Sequence, residues 1–517
     1  MSLTRPSSLF AAVACVTLIA AGGCDNQVHP TEVLPTLRAG SVDADAGSWR
    51  MIVLTGPTQF TVAAPAAVSS TAYTDELAAV RSAQAGLTDA QRAAVDYWSA
   101  GGVLRWNEIV RGLVARFSLP PAPGADGKYP VPDAENPFGD PNYPFANPAY
   151  AARAYSYVSA AQYDALKSAW YWKFQFNRPS PAKVDAGIKS LATVSDLPAY
   201  PSEDAVISGV TAELLKVLFP AAVEEITRRA IEQRNAAIWS GRATASDVAA
   251  GLALGKAVSA PFIARAGADG MRTAGGSPAA WQALADSAKL RGELAWISQE
   301  SPARPPMLPL FGQVRSWMLT PAQVVAERPG PPPSTGSEQM KKELAEVKST
   351  VDNLTREQLA IAFKWNDGAG TPTPPGHWNA IATDYVSGAN MSEVRAARVF
   401  ALLNMAMHDA AVSCWETKFH YFNPRPSQLD PTIKTQIGLP NFPSYSSGHS
   451  TFSAAADTVL SYLFPGSGPA LDVMRDEAAI SRLYGGIHYR SDIEGGKLHG
   501  KRIGAYTVQF AKADGGR

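Results

Sequence analysis

Along most of the chain apolar residues recur at helical spacing. From about Ala78, alanine-rich segments with a 3.6-residue period occupy 77–117, 148–172, 203–240 and 245–265, and the pattern resumes at Glu338 and runs to Phe510. Ser450 to Phe464 is a clear case: Phe452, Ala455, Ala456, Val459, Leu460 and Leu463 fall on one helical face. Strand-like alternation is scarce, so the spacing predicts an all-α protein. Two stretches lack the period. Residues 25–72 are rich in Ala, Val, Thr, Pro and Asp and are expected to form a tether and extended lead-in. Residues 266–350 contain Pro305-Pro306 and Pro329-Gly-Pro-Pro-Pro, which mark a long connector.

The helical segments repeat at an offset of 245 residues. Asp409, Trp415 and Lys418-Phe419 match Asp164, Trp170 and Lys173-Phe174. Ser447-Gly448-His449 falls on Ser202-Glu203-Asp204, and Ser491-Asp492 on Ser246-Asp247. Trp106-Asn107 also resembles Trp378-Asn379, with an insertion between. The expected architecture is therefore two related helical bundles, an internal duplication, with an intact site only in the second. The expected divisions are a leader over 1–24, the lead-in over 25–72, an N-terminal bundle over 73–295, a connector over 296–350 and a C-terminal bundle over 351–517.

The 46 basic and 46 acidic residues balance, which gives no electrostatic case for nucleic acid. In the first 24 residues Arg5 is the only charge, Leu9 to Ala21 is apolar, and Ala21-Gly22-Gly23-Cys24 follows. This predicts a signal peptide of lipoprotein type with Cys24 as the lipidated residue, hence export to a periplasm or a membrane held through a lipid anchor. The alternative is secretion with cleavage nearby. No later stretch is expected to span a bilayer. The other cysteines are Cys15 and Cys414, so no disulfide framework is expected and Cys414 reads as a buried thiol.

The candidate chemistry lies between Lys418 and Asp492. Lys418 and Arg425-Pro426 come first, then Ser447-Gly448-His449, then Ser481-Arg482, His488 and Asp492. Arginine forks bind two oxygens of an anion at once, and lysine adds a point charge. The Ser-Gly turn opens a helix whose free N–H groups favour an anion, and Gly448 lets the backbone come close. His488 and Asp492, four apart, share a helix face, so the carboxylate can fix the imidazole tautomer. In the first half Asp204 stands in place of His449, Ala237 of Arg482 and Ala243 of His488, so that half should have no chemistry.

Lys418-x6-Arg425-Pro426, Ser447-Gly448-His449 and Ser481-Arg482-x5-His488-x3-Asp492 resemble the signature of the superfamily of type 2 phosphatidic acid phosphatases (PAP2) and vanadium-dependent haloperoxidases, in particular its soluble bacterial haloperoxidase-like branch. One position departs: Ser446 stands where that signature carries proline. The resemblance implies a vanadate cofactor bonded to His488, with Lys418, Arg425, Ser447, Gly448 and Arg482 on its oxygens. It implies His449 as acid and base, with hydrogen peroxide and a halide as substrates and phosphate competing for the site. Phe442 would stand near the halide side, His377 would line the entrance, and Asp409 would pair behind Arg482 or His449 or serve structure alone. The same residues suit a phosphatase in which His488 attacks a phosphomonoester and His449 protonates the leaving group. A third reading is a non-catalytic oxyanion-binding lipoprotein.

Overall fold

Helices form where the chain supplies both a cap and an apolar face. The computed structural model describes residues 32–516 other than 138, 141, 142, 194 and 195. The expected leader and Cys24 lie outside the described residues. The first half is carried by α1 (Gly102–Phe117), α2 (Pro148–Phe176), α3 (Glu203–Leu218), α4 (Val223–Trp239) and α5 (Ala245–Gly267). The second is carried by α6 (Thr373–Gly388), α7 (Glu393–Tyr421), α8 (Gly448–Leu463), α9 (Gly468–Tyr484) and α10 (Arg490–Lys512). Shorter helices flank them, and there is no strand among the described residues, as the spacing predicts.

Helices α2 and α7 are both 29 residues long, begin 245 residues apart, and are buried over most of their surface. Each ends in a left-handed residue, Asn177 at φ 48° and Phe422 at φ 54°. Helices α3 and α8, α4 and α9, and α5 and α10 also pair in length at the same spacing. Residues matched at sequence level meet where the halves join. Asn107 donates to Asn379 at 2.6 Å, and Asn404 to Ser159 at 2.8 Å. At the same join Glu393, at the start of α7, accepts from the N–H groups of Gly102 and Val103 that open α1.

Two buried carboxylates fasten extended chain to these long helices. Asp164 on α2 accepts from the N–H groups of Ile52, Val53 and Leu54 at 2.8–3.0 Å. Asp409 on α7 accepts from Trp317 and Met318 at 2.7 Å each. The described part of the expected tether is therefore extended and packed onto the bundle. Asp409 spends its carboxylate on the connector and makes no hydrogen bond to Arg482 or His449. Extended N–H groups without a strand neighbour need an acceptor, and a buried carboxylate supplies several at once.

Small residues let α10 lie close on α8. A side-chain carbon at Gly496 would stand 2.8 Å from the Ser447 carbonyl, and one at Gly500 would collide with that of Thr451. Glycines 251 and 255 of α5 meet the carbonyls of Ser202 and Val206 on α3 in the same way. This close approach brings the Ser447 turn beside Asp492, and Ser447 N–H donates to the Asp492 carbonyl at 2.9 Å.

Three expectations need correction. The segment 203–240 is not one helix: it breaks at Phe219, where Pro220 opens a 3-10 turn and α4 starts anew. The connector carries a short helix at Pro321–Ala326, before Glu338–Asp352, where the helical pattern resumes as read. One stretch, Ala245–Thr273, is long and apolar enough to cross a membrane by length and composition. Its small apolar residues are explained by close packing of α5 on α3, and Asp247, inside it, is buried against Arg178.

Replacing Asp409 by Ala would strand two N–H groups, each costing ~1–3 kcal/mol when buried and unpartnered. Urea denaturation should show a loss of that order for Asp409→Ala and at least as much for Asp164→Ala. Wild-type midpoints in both would reject the fastening role.

Candidate active site

Every motif residue from Lys418 to Asp492 converges on one end of the second half. Lys418 comes from the last turn of α7, Arg425 from the residue capping the short helix Pro426–Leu429, and Arg482 from the last turn of α9. Ser447 caps α8, its hydroxyl accepting from Ser450 N–H at 3.3 Å, and His449 follows in the first turn. His488 precedes α10, and Asp492 lies in that helix's first turn.

At the centre, His488 Nδ1 lies 2.8 Å from Asp492 Oδ2. The carboxylate only accepts, so Nδ1 carries the proton and Nε2 the lone pair. Asp492 Oδ2 also accepts from the Ser444 hydroxyl at 2.6 Å and Tyr489 N–H at 3.1 Å. Burial raises the Asp492 pKa to about 6 against the pull of these donors. Burial, then the neighbouring Arg425, holds His488 well below the usual imidazole range, so its ring is neutral near pH 7.

The cations are buried and underpaired. Arg425 donates from Nε to the Phe442 carbonyl at 3.0 Å and from Nη1 to the Ile487 carbonyl at 2.8 Å; Nη1 also lies 3.0 Å from His488 Nε2. Its Nη2 is buried without a protein partner. Arg482 donates to the Ser481 hydroxyl at 2.9 Å and to the Trp365 carbonyl. Lys418 differs from expectation: its ammonium donates to the carbonyls of Pro443, Ser444 and Ser446 at 3.0, 2.8 and 2.5 Å. It holds the loop before Ser447 and lends charge to the site from behind that loop. Burial depresses all three cations, Lys418 to about 7, Arg425 to about 10 and Arg482 to about 9. Phe442 lies under two of them, with Lys418 Nζ 5.0 Å and Arg425 Cζ 5.1 Å from its ring centre, and packs against Trp415.

These features fit an oxyanion of the vanadate or phosphate kind. Buried positive charge exceeds the nearby negative charge, Arg425 Nη2 is a donor without an acceptor, and the space a side chain would fill at Gly448 meets only Phe452, at 3.8 Å. Arg425, Arg482 and the N–H groups opening α8 would hold it, beside the lone pair of His488 Nε2.

His449 has a partner that the motifs do not reveal. Asp367, in the loop before α6, lies 3.6 Å from His449 Nε2 and 3.1 Å from His377 Nδ1. His377 stacks on Trp365, whose carbonyl holds Arg482. Burial pushes Asp367 up, but the two imidazoles outweigh it and hold the carboxyl below its usual range. His449 is lowered to about 4 by burial and then Arg482, with Asp367 opposing. His377 thus stands behind Asp367 and is partly exposed. Trp378 and Trp415 are buried, as expected for core.

The corresponding place in the first half is neutralised from within. Glu203, matched to Gly448, puts its carboxylate 2.7 Å from Lys173 Nζ. Arg178 binds Asp247 at 3.0 and 2.5 Å, and Arg242 lies 2.8 Å from Asp204. Each buried cation there has a carboxylate of the same chain.

Residues 398–515 match the family profile of the PAP2 superfamily. That match takes in every motif residue from Lys418 to Asp492. Three solved structures share the all-α fold with this chain. A bacterial vanadium-dependent iodoperoxidase is 23% identical with a TM-score of 0.55, covering 70% of this chain and 91% of its own. A bacterial vanadium-dependent chloroperoxidase in its apo form is 14% identical with a TM-score of 0.50, covering 70% and 94%. Its holo form is 14% identical with a TM-score of 0.50, covering 74% and 96%. No curated protein matches the chain.

Two substitution sets follow from the contrast between the halves. Lys173→Ala and Glu203→Ala each leave a buried charge unpaired, a change that costs ~3–5 kcal/mol. They should lower the denaturation midpoint and leave oxyanion binding in the second half intact; native melting with lost binding would contradict this. His488→Ala should abolish vanadate retention in equilibrium dialysis, whereas Asp492→Ala, losing only the orienting bond, should weaken it ~10–100-fold. Wild-type retention by His488→Ala would reject His488 as ligand.

Proposed function

We propose that the chain is a vanadate-dependent haloperoxidase that uses hydrogen peroxide to convert halide into a hypohalous-acid-type halogenating species. The observation that carries this reading is the set of underpaired donors around His488 Nε2, with His449 and its Asp367 partner beside them. The likeness to solved haloperoxidases over both halves supports it. An internal duplication, with Glu203 closing the first site, belongs to the same proposal. So does export through the N-terminal segment with Cys24 as a lipid anchor.

In this reading His488 Nε2 is the ligand and Asp492 holds its tautomer. Arg425, Arg482, the Ser447 hydroxyl and the Gly448 N–H engage the oxygens, and Lys418 adds charge through the loop. Vanadate, when bound, supplies a Lewis acid that makes peroxide electrophilic toward halide. His449 is neutral at working pH and takes the proton that peroxide gives up, later returning one to the product. With Nε2 turned to Asp367, Nδ1 is the nitrogen that exchanges it. Phe442 and Trp415 form an apolar wall that favours a poorly hydrated halide.

A second reading is a phosphatase, favoured by the PAP2 match to this half alone. His488 Nε2 would then attack phosphorus, and the same cations would stabilise the transition state.

Wild type should halogenate a phenolic dye only when vanadate, peroxide and a halide are all present. His449→Ala should retain vanadate and lose ~10²–10⁴-fold of that rate. Strong phosphomonoester turnover, with vanadate acting only as inhibitor, would replace the first reading by the second. The acid–base step has a pH signature. Protonation removes the basic form of His449, so the rate should fall on the acid side as pH drops through its folded-state pKa. Asp367 favours the protonated ring, so Asp367→Asn should move that limb to lower pH. An unmoved limb would show that Asp367 does not act through His449.

A further inference from the structure

The cavity between the two carboxylate-fastened segments carries no role in the reading above. It is a half-open cleft of about 720 Å³, walled by residues 50–53, by 315–318, and by the C-terminal ends of α5 and α10. Arg265 on α5 and Phe510 on α10 occupy matched places 245 residues apart, so both halves contribute to this wall.

Three arginines line it: Arg50, Arg265 and Arg315. Among the described residues none of them lies within ion-pair distance of a carboxylate. The nearby acids are already engaged: Asp164 on Ile52 to Leu54, Asp409 on Trp317 and Met318, and Asp269 on Arg153. Two guanidiniums are laid on aromatic rings, Arg50 Cζ 5.0 Å from the Phe510 centre and Arg265 Cζ 4.1 Å from that of Trp317. Stacking fixes a guanidinium plane while leaving its N–H edge for an acceptor. Arg265 is anchored further by the Ser316 carbonyl at 2.7 Å and the Tyr157 hydroxyl at 3.2 Å. The same wall holds two buried polar atoms with no protein partner, the Ser316 hydroxyl and the Trp317 indole N–H. Ser316 is only 8% exposed. Orphaned hydrogen-bonding groups beside unpaired arginines and aromatic faces match a ligand rich in acceptors and bearing negative charge.

We propose that this cavity is a second oxyanion site, separate from the His488 cradle, which takes a phosphate-class dianion. Arg50, Arg265 and Arg315 pair its charge, Ser316 and Trp317 donate to its oxygens, and Phe510 and Met318 border an apolar body attached to it. That chemistry is shared by free phosphate compounds and by anionic lipid headgroups.

Equilibrium dialysis of the full chain against inorganic phosphate separates the two sites. Wild type should bind two phosphates per chain, one displaced by vanadate at low concentration and one resistant to it. Arg50 and Arg315 are exposed, so the pair Arg50→Ala with Arg315→Ala should melt like wild type and lose the resistant phosphate, with affinity falling at least about tenfold per guanidinium removed. Trp317→Phe keeps the ring and removes only the N–H, and should weaken the resistant site severalfold. In parallel, the chain is sedimented with phosphatidylglycerol or phosphatidylcholine vesicles. Selective binding to the anionic vesicles, lost in the paired variant, would sustain the site and identify a headgroup as the source. The absence of a vanadate-resistant phosphate on the wild-type chain, with no selective vesicle binding, would overturn the proposal, whether or not the His488 cradle binds one. So would a resistant phosphate that survives the paired substitution.

Discussion

Unbalanced positive charge in a dry place governs the second half. Lys418, Arg425 and Arg482 are buried with fewer carboxylates than cations around them, and burial depresses the pKa of each. The sign of the resulting pH dependence is set by that depression. Between the folded and unfolded pKa values the unfolded chain binds more protons, so the contribution of Lys418 to stability falls as pH drops from near 10 toward 7, and those of Arg425 and Arg482 fall at higher pH, above about 9. An anion reverses this. A ligand present at a hundred times its Kd stabilises a fold by ~2.7 kcal/mol, enough to offset a substantial share of such a penalty. The loop carbonyls on Lys418 and the carboxylate on His488 keep the donors in place without one.

The scaffold meets this requirement by close packing rather than by extra bonds. Glycines on α10 let it approach α8 until the Ser447 turn and the His488–Asp492 pair share one corner. The long helix α7 carries Lys418 at one end and Glu393 at the other, so one helix runs from the site to the join between halves. The loop carrying Asp367 and Trp365 then closes the remaining side and reaches both His449 and Arg482.

Most of the cradle was legible because its chemistry is written in short local motifs, each tied to a helix end. Helix periodicity gave the fold class for the same reason. What the sequence does not carry depends on long-range contact or on backbone atoms. Asp367 belongs to a turn far from the motifs, although the candidate His377 is its direct neighbour. The partners of Lys418 are carbonyls, which no side-chain pattern encodes, so its hold on the loop is not legible in the sequence. Asp409 was a plausible partner for Arg482 by position on α7, yet the connector passing over it claimed both oxygens. In the first half, Ala237 and Ala243 are legible as deletions, while the decisive change is an addition: Glu203 at the place of Gly448.

Glu203 gives the two halves different dependence on their surroundings. The first half encodes its counter-charge in its own sequence, so its interior is complete when translation ends. On the proposed reading, the second half would take its counter-charge from the medium. In anion-depleted buffer, amide hydrogen exchange should be lopsided, with the turns around Ser447 and His488 opening while their counterparts at Ser202 and Ala243 stay protected. The supply of a small inorganic ion would then set the lifetime of one half of the chain in a protease-rich setting and leave the other unaffected.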